Sequence, residues 1–444
     1  MEHQAVGVQW MIDREASTDL CRGGILADDM GLGKTFQTIG LLKNGLTLRT
    51  LIVCPPVLIS GWTSELRACG YTVANTGGGK IPLGSPKNTV WLTTYPKVGL
   101  YAKAIAACSF QRIVLDEGHC IRNESTARWS HCMAISAAAQ TRWILSATPV
   151  QNGSGDWKAL CKWLRIPPDT DVSRIADAIM LRRTMAELRS VVDALPPPPC
   201  FVQHELSIPE GEEGALFHRL CNQMDYVAHD NTVSAFIKLE LWMRIQQFIV
   251  HPQVYIEGIR AKFGGTGLPD WSAGTTKWTA CMSQIARAVN EKVATIVFCQ
   301  FRLEMDMVAA AAQKAGADVF VVRGGMGVEK VGEAVARAKA AAAAGKAVIV
   351  VVQIVAGGAG LNLQFCRRVL FLSQHWNPAV VHQAVGRAVR IGQSAVVEIH
   401  LFHVCNDVLD NIDLNICEAH AVKVGAAREV CSTLYEGFYF PTSL

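Results

Sequence analysis

The fold class of this 444-residue chain is indicated most clearly by one stretch, Asp28-Asp29-Met30-Gly31-Leu32-Gly33-Lys34-Thr35. It follows the apolar run Gly24-Ile25-Leu26 and precedes a predicted helix at Phe36–Leu42. Glycines let the backbone approach phosphate oxygens closely, and the amides at the start of a helix bind the negative charge. A lysine reaches the outer phosphates, and a hydroxyl on the next residue ligates Mg²⁺. The stretch therefore predicts a nucleotide phosphate loop.

One feature departs from the generic phosphate-loop pattern, because Asp28 stands where that pattern has its first glycine. The alternative is a glycine turn that happens to precede Lys34 and Thr35. A second motif favours the nucleotide interpretation: Asp116-Glu117-Gly118-His119 ends the apolar run Arg112–Leu115. An aspartate at a strand end can hold Mg²⁺, and the neighbouring glutamate can orient an attacking water. The alternative for this pair is two solvated acids in a turn.

A third motif runs from Gln383 to Gln393 and carries Arg387 and Arg390. In a continuous helix, positions 383, 387 and 390 would lie on one face. An amide and two arginines on one face suit the developing charge on a γ-phosphate. The alternative is a solvated basic helix face.

Composition excludes several classes of protein. Hydrophobic residues make up 50% of the chain, which is enough for a large core and excludes wholesale disorder. The net charge of +4 neither requires nor forbids a nucleic-acid partner. The 15 cysteines include no C-x-x-C pair, so we expect neither a disulfide framework nor zinc. Without a membrane-length apolar run or a signal segment, we expect an intracellular protein that does not enter membranes.

Short runs rich in valine and isoleucine predict strands that are buried on both faces. These runs are Leu51–Cys54, Arg112–Leu115, Arg142–Leu145, Val293–Phe298, Val319–Val322, Ala347–Val352, Val369–Leu372 and Val396–Phe402. Segments such as Val328–Ala344 and Val380–Ile391 between them are predicted helices. The middle of the chain lacks this alternation of strands and helices. There Pro196–Pro199 is stiff, Glu205–Ile249 has helical periodicity and Gly264–Gly274 is loop-like. The pattern predicts an α/β fold of two parallel-sheet lobes joined by a mostly helical middle segment.

With these motifs in place, the sequence resembles the Swi/Snf-type DNA-dependent ATPases of helicase superfamily two. Further stretches resemble this family's motifs and occur in family order. They are His3-Gln4, Leu51–Pro55 followed by Trp62 and Glu65, Thr93–Pro96, Leu145–Asn152, Leu181–Arg183, Arg244 with His251-Pro252, Phe298–Phe301, Gly357–Leu363 and Ser373–Pro378. The last two distinguish this family from ordinary helicases.

The resemblance implies two RecA-like lobes (P-loop NTPase domains) with ATP and Mg²⁺ in the cleft between them. It assigns residues 1–183 to the first lobe, 184–274 to a linker and helical insertion, 275–420 to the second lobe and 421–444 to a C-terminal tail. The residues implied to bind the nucleotide are Gln4, Asp28, Asp29, Met30, Gly31, Leu32, Gly33, Lys34 and Thr35. The residues implied in catalysis are Lys34, Asp116, Glu117, Gln383, Arg387 and Arg390, with Thr35 and Asp116 as the Mg²⁺ ligands.

The partner that the resemblance implies is double-stranded DNA, with DNA-bound proteins or nucleosomes beyond it. The implied DNA contacts are Thr93, Thr94, Thr148, Asn152, Gly358, Asn362 and Trp376. The predicted function is an ATP-dependent duplex DNA translocase with a monomeric core. Its compartment would be the nucleus in a eukaryotic or nuclear viral setting and the cytoplasm otherwise.

Two departures from the family pattern keep alternatives open. Gly118 stands where the family usually has alanine, and Ser146-Ala147-Thr148 resembles the third motif of strand-separating helicases. A strand-separating helicase is therefore one alternative, and a non-catalytic DNA clamp is another. A P-loop kinase is a third, but a kinase has no reason to carry the paired arginines Arg387 and Arg390.

Overall fold

The structure is a computed structural model that describes residues 1–17, 19, 21–76, 81, 88–167, 169–171, 175–230, 232–265, 267, 269–357, 361–406 and 411–435. The described chain divides into two compact units. The first contains Met1–Leu195 together with the residues from Lys423 to Tyr435, and the second contains Pro196–Val422. Each unit is built on its own parallel sheet.

The sheet of the first unit has seven strands, which are β1 (Gly23–Leu26), β2 (Thr50–Cys54), β3 (Thr72–Asn75), β4 (Thr89–Thr94), β5 (Arg112–Asp116), β6 (Thr141–Leu145) and β7 (Met180–Leu181). Their order is β3-β4-β2-β5-β6-β1-β7, and every pair is parallel. Leu145 lies in register with Leu26 on one side and with Asp116 on the other. The segments that follow β1, β5 and β6 therefore leave the sheet at the same edge, which positions the site described below.

The helices of the first unit are α1 (Glu2–Ala16), α2 (Lys34–Asn44), α3 (Ile59–Ala68), α4 (Tyr95–Ala107), α5 (Ala127–Ile135), α6 (Ser154–Trp163), α7 (Ala176–Ile179) and α8 (Met185–Leu188). Single 3₁₀ turns occupy Pro56–Leu58 and Gly118–Ile121. A buried ion pair ties α1 to the sheet, because Arg112 lies 2.5 Å from Glu15 with both side chains 1% exposed. Trp143 donates a further hydrogen bond to Glu15, which satisfies the buried carboxylate.

The sheet of the second unit has six strands, which are β8 (Cys200–Leu206), β9 (Thr295–Cys299), β10 (Asp318–Val322), β11 (Val348–Gln353), β12 (Arg368–Phe371) and β13 (Glu398–Val404). Their order is β10-β11-β9-β12-β13-β8, again with parallel pairs throughout. The helices are α9 (Glu212–His229), α10 (Ala235–Val250), α11 (Pro252–Phe263), α12 (Thr276–Asn290), α13 (Arg302–Lys314), α14 (Val328–Ala343), α15 (Ile354–Gly357), α16 (Pro378–Val385) and α17 (Ile412–Arg428). The helix α17 begins in the second unit, and its residues from Lys423 onward belong to the first.

The predicted fold class is confirmed, since both units are α/β with parallel sheets. All eight predicted strands are present. The strand β8 lies where a linker was predicted, and it adds an edge strand to the second sheet. The boundaries 1–183, 184–274, 275–420 and 421–444 stay a prediction. Among the described residues, no helix is both long enough and apolar enough to cross a membrane.

The predicted helix Val380–Ile391 is wrong beyond Val385, where α16 ends. The backbone tightens there into shorter turns, because the amide of Arg387 bonds the carbonyl of Ala384 and the carbonyl of Arg387 accepts from the amide of Leu363. Gly386 also disfavours helix continuation. Gln383 is therefore helical, whereas Arg387 and Arg390 lie in the turns that follow. The single helical face predicted for these three residues does not exist.

Candidate nucleotide site and neighbouring motifs

The predicted phosphate loop connects β1 to α2 in the first unit. Gly31 and Gly33 have φ angles of +88° and +83°, a conformation that glycine adopts without strain. A Cβ atom at Gly33 would lie 2.3 Å from Nε2 of Gln4, so a side chain there would displace the Gln4 amide. The helix α2 begins at Lys34, directly after the loop. The first amides of α2 therefore face the loop, as an anion site at a helix start needs.

The Lys34 side chain folds back over this loop. Its Nζ donates to the carbonyl oxygens of Asp28 at 2.6 Å and Asp29 at 3.2 Å. Burial lowers the pKa of Lys34, and the negative charges of Glu117, Asp28, Asp116 and Asp29 oppose that effect. The structure thus brings the lysine of the first motif together with the two acids of the second.

The acidic motif begins at the carboxyl end of β5. Asp116 accepts a 2.8 Å hydrogen bond at Oδ2 from Nε1 of Trp62, and its backbone carbonyl accepts one of 2.8 Å from the hydroxyl of Tyr95. Burial raises the pKa of Asp116 to about 6, the charge of Glu117 adds to this, and the Trp62 hydrogen bond opposes it. Glu117 has a φ of +51°, so the backbone turns sharply at the residue that would orient water.

His119 links the acidic motif to the segment after β6. Its Nδ1 lies 3.3 Å from Oε2 of Glu117 and 3.2 Å from the hydroxyl oxygen of Ser146. The Ser146 hydroxyl also accepts from the amide of Thr148 at 3.2 Å. A movement of Glu117 would therefore be transmitted through His119 to Ser146 and Thr148.

Arg183 holds the first acid of the phosphate loop. Asp28 is fully buried, and its carboxylate lies 2.5 Å from Nη2 of Arg183. It also accepts from Nε of Arg183 at 3.0 Å and from Nε2 of Gln37 at 2.9 Å. Asp28 therefore presents its backbone carbonyl, not its carboxylate, to Lys34. Sequence reasoning noted Leu181–Arg183 only as a family-like stretch and missed this role.

Arg182 holds the second acid of the loop in the same way. Its Nη2 lies 2.7 Å from Oδ1 of Asp29, whose Oδ2 accepts from the amide of Met185 at 2.9 Å. Both carboxylates of the loop are thus bound by the protein itself. A direct contact of either carboxylate with a nucleotide stays a prediction.

The remaining predicted nucleotide residues surround the loop. Gln4 lies on α1, and its Nε2 donates to the carbonyl of Leu32 at 3.3 Å. His3 contacts the same carbonyl through Nε2 at 3.1 Å. Within the loop, Leu32 is buried, whereas Met30 is half-buried. Thr35 occupies the first turn of α2, beside Lys34.

The predicted DNA contacts of the first unit differ in exposure. Thr93, Thr94 and Thr148 are buried, and Thr94 caps α4 by accepting from the amide of Lys97. Only Asn152 among these four is exposed. Its backbone N–H donates to the carboxylate of Asp156 at 2.8 Å. The phosphate contacts proposed for the three buried threonines stay predictions.

The predicted site residues of the second unit lie after β11 and around α16. Gln383 and Arg387 are buried, and burial lowers the pKa of the half-buried Arg390. Asn362 is exposed, and Trp376 packs edge-on against Trp242 of α10 at 5.8 Å between ring centroids. Gly358 lies outside the described residues.

A parallel α/β sheet with a lysine-bearing loop after β1 and paired acids after β5 defines the class of P-loop nucleotide hydrolases. The comparisons with known proteins narrow this class. Residues 3–195 match the SNF2-related domain, and residues 276–392 match the helicase conserved C-terminal domain. These two domains together span well over half of the chain, which belongs to the SNF2-related family of helicase-like ATPases. The family resemblance seen in the sequence is confirmed, and the protein is an ATP-using enzyme of the helicase-like type.

Two curated relatives illustrate the match. A probable global transactivator of Orgyia pseudotsugata multicapsid polyhedrosis virus is 27% identical over 430 residues, covering 88% of this chain and 84% of the viral protein. The ATP-dependent helicase ULS1 of Saccharomyces cerevisiae is 24% identical over 67% of this chain, which corresponds to 23% of the yeast protein. The chain thus spans most of the viral relative but about a quarter of the yeast one.

A solved structure of a Sulfolobus solfataricus SWI2/SNF2 ATPase core in complex with dsDNA covers 100% of this chain, at 20% identity and a TM-score of 0.41. This identity and TM-score are too low to assign a function, so the family assignment rests on the two domain matches.

Proposed function

We propose that the protein hydrolyses Mg²⁺-bound ATP and uses the energy to move along double-stranded DNA without separating its strands. The observation that carries the hydrolysis step is the position of Lys34, whose Nζ is held over the phosphate loop by two carbonyls beside Asp116 and Glu117. In this proposal Lys34 neutralises the outer phosphates, and the amides of the first turn of α2 bind them. Glu117 orients the attacking water and accepts its proton.

The donor set fits Mg²⁺, which prefers carboxylate, hydroxyl and water oxygens. Asp116 offers a carboxylate fixed by the Trp62 indole, and Thr35 offers a hydroxyl at the start of α2. These two residues would hold the ion, which would screen the negative charge of the phosphates during transfer.

The proposal of duplex DNA as the substrate rests on the family and on the sequence. The SNF2-related domain match and the motifs Gly357–Leu363 and Ser373–Pro378 support it. DNA binding would depend mainly on phosphate contacts, and the side-chain amides of the exposed residues Asn152 and Asn362 are suited to make them. DNA-bound proteins, including nucleosomes, would be displaced or remodelled as the motor advances.

The test compares ATP hydrolysis with duplex DNA, single-stranded DNA and no DNA, in the wild-type protein and in the Glu117→Gln variant as a catalytic control. We expect strong stimulation by duplex DNA and binding that weakens steeply with salt. A third strand bound in the major groove should be displaced when ATP is present, and an ordinary fork should stay paired.

A strand-separating helicase is the second candidate, and one specific observation favours it. Ser146-Ala147-Thr148 resembles the motif of true helicases, and Ser146 contacts His119 of the acidic motif. Fork unwinding without displacement of the third strand would select this candidate. Absence of any ATP hydrolysis, with or without DNA, would instead leave a DNA clamp.

A further inference from the structure

Arg182 connects three separate segments of the first unit. Its Nη1 donates to the carbonyls of Ala27 at 2.7 Å and Ala147 at 3.2 Å. Its Nη2 binds the carboxylate of Asp29 at 2.7 Å, and its Nε donates to the carbonyl of Thr433 at 3.1 Å. The side chain is only 3% exposed. One guanidinium thus ties the phosphate loop and the segment after β6 to residues near the C-terminal end of the chain.

The C-terminal residues involved are themselves firmly packed into the first unit. Leu434 is completely buried and Tyr435 is 1% exposed. The Tyr435 hydroxyl donates to the carbonyl of Val150 at 3.3 Å, which lies in the same segment as Ala147. Arg428 at the end of α17 donates to the carbonyls of Leu434 and Tyr435. Residues 431–435, which we call the return segment, therefore pack into the first unit through Leu434 and Tyr435, while Ser432 is exposed.

We propose that the return segment is a positioning element of the nucleotide site. It acts through Arg182 on Ala27 and Asp29, and through Tyr435 on Val150. The inference rests on the proposed function, because it assumes that ATP binds at the phosphate loop. The Asp29 carbonyl is one of the two acceptors that hold Lys34, so a displacement of Asp29 moves the catalytic lysine as well.

The chemistry of Arg182 explains why this coupling depends on an arginine. A planar guanidinium presents five donors in a fixed fork, and here it serves four acceptors on three segments. A lysine could replace the positive charge opposite Asp29. It could not donate at the same time to the carbonyls of Thr433, Ala147 and Ala27. Packing of the return segment and an ordered phosphate loop should therefore favour each other. By thermodynamic reciprocity, nucleotide binding should then stabilise the return segment by the same factor.

The first arm of the test measures ATP hydrolysis by the full-length protein carrying Arg182→Lys or Tyr435→Phe. Tyr435→Phe keeps the buried ring and removes the hydroxyl that donates to the carbonyl of Val150. Arg142→Lys is the matched control, because Arg142 is buried in the same unit and donates to the carbonyls of Ser136 and Trp163. Arg142 shares none of the acceptors of Arg182.

We expect KM for ATP to rise about 5- to 20-fold in Arg182→Lys, within the range of a coupling between sites. In Tyr435→Phe we expect a rise of about 3-fold, as for the loss of one neutral hydrogen bond. The control should lose thermal stability while its KM stays within about 2-fold of wild type. A merely structural role of Arg182 would instead lower the melting temperature without separating it from the control in KM.

The second arm measures amide hydrogen exchange of residues 431–435 in the full-length protein, with and without Mg²⁺ and the non-hydrolysable analogue AMPPNP. We expect slower exchange with the nucleotide in the wild type and no such change in Lys34→Ala. If the wild type binds AMPPNP, but exchange is unchanged and Arg182→Lys behaves like Arg142→Lys, the inference is wrong and the proposed function stands. If the wild type binds no nucleotide at all, the proposed function fails and the inference fails with it.

Discussion

The indole Nε1 of Trp62 donates a 2.8 Å hydrogen bond to Oδ2 of Asp116, although the two residues are 54 positions apart in the sequence. Trp62 belongs to α3 and Asp116 ends β5, so the bond fixes the carboxylate from a neighbouring helix. A hydrogen bond to a charged group contributes roughly 1.5–3 kcal/mol. Trp62 therefore determines where the proposed Mg²⁺ ligand points.

The variant Trp62→Phe should retain the aromatic packing and lose this hydrogen bond. We expect the Mg²⁺ concentration for half-maximal ATP hydrolysis to rise about tenfold, which corresponds to roughly 1.4 kcal/mol. Trp129→Phe is the control, because Trp129 also donates from a buried indole, to the carbonyl of Ala159 in the same unit. An equal Mg²⁺ requirement in both variants would mean that Trp62 only packs.

The variants Lys34→Ala and Glu117→Gln should fail at different steps. Lys34→Ala removes the charge over the phosphate loop, so nucleotide binding should weaken and turnover should cease. Glu117→Gln keeps the size of the side chain but loses the charge that orients water, so it should bind ATP and stall. The exposed pair Lys162 and Glu124 supplies matched controls of the same residue types. Near-normal hydrolysis by Glu117→Gln would place the base elsewhere.

The variant Arg387→Ala should lower turnover by about 10³-fold and leave nucleotide affinity largely intact, as expected for an arginine that stabilises the transition state. Because Arg387 is buried, the melting temperature must be measured alongside. Arg367→Ala removes an exposed arginine of the same unit and serves as the control. A loss confined to affinity would make Arg387 a binding residue.

Gln4 should confer a preference for adenine, since an amide can pair with the adenine edge in an arrangement that guanine mismatches. We expect ATP and dATP to be hydrolysed and GTP to be used poorly, with Gln4→Ala reducing this preference about tenfold. Gln9→Ala, on the same helix but bonded to Asp13, should change nothing. Equal use of GTP and ATP by the wild type would exclude Gln4 from this role.

Acidification should destabilise the second unit through His251. Burial lowers the pKa of its imidazole to about 4, against about 6.5 in an unfolded chain. Between these values the unfolded state binds more protons, so stability is present above pH 6.5 and is lost as the pH falls towards 4. Protonation also removes the Nδ1 acceptor that caps α11 through the amide of Gln253.

From pH 7 to pH 5 we expect His251 to account for a loss of about 1 kcal/mol, allowing for its part-exposed ring. His251→Asn keeps a capping acceptor that does not titrate, so its melting temperature should fall less steeply over this range. His229→Gln changes a histidine that is 81% exposed and should retain the wild-type slope. Parallel slopes for all three proteins would show that His251 does not titrate as expected.

The sequence predicted the fold because its central strands are buried on both faces and are therefore mostly apolar, as β2 and β9 are after their first residue. The strand β8 was missed because it lies at the sheet edge and includes Gln203, His204 and Glu205, so it lacks that signal. The predicted helix Val380–Ile391 was too long, because the turns after Val385 include a contact from a distant segment: the amide of Leu363 donates to the carbonyl of Arg387. The spacing of apolar residues along the sequence does not report such a long-range contact.

The candidate site was predicted only where its residues are neighbours in sequence. The phosphate loop and the acidic pair are local motifs, and each could be recognised alone. Arg182 binds Asp29 across 153 positions, and Arg183 binds Asp28 across 155. No spacing rule connects residues at such distances, so the arginines that hold the loop could be found only from the folded chain.

The burial of Leu434 and Tyr435 in the first unit has a consequence for the order of events during protein synthesis. The sheet that carries Lys34 and Asp116 can leave the ribosome complete once residue 195 has emerged. Thr433 and Tyr435 follow on the order of tens of seconds later at ~5–20 residues per second. Until then the newly synthesised chain lacks the Thr433 carbonyl that accepts from Nε of Arg182 and the Tyr435 hydroxyl that donates to Val150. A premature stop just before Cys431 would therefore spare every recognisable motif and still impair the nucleotide site.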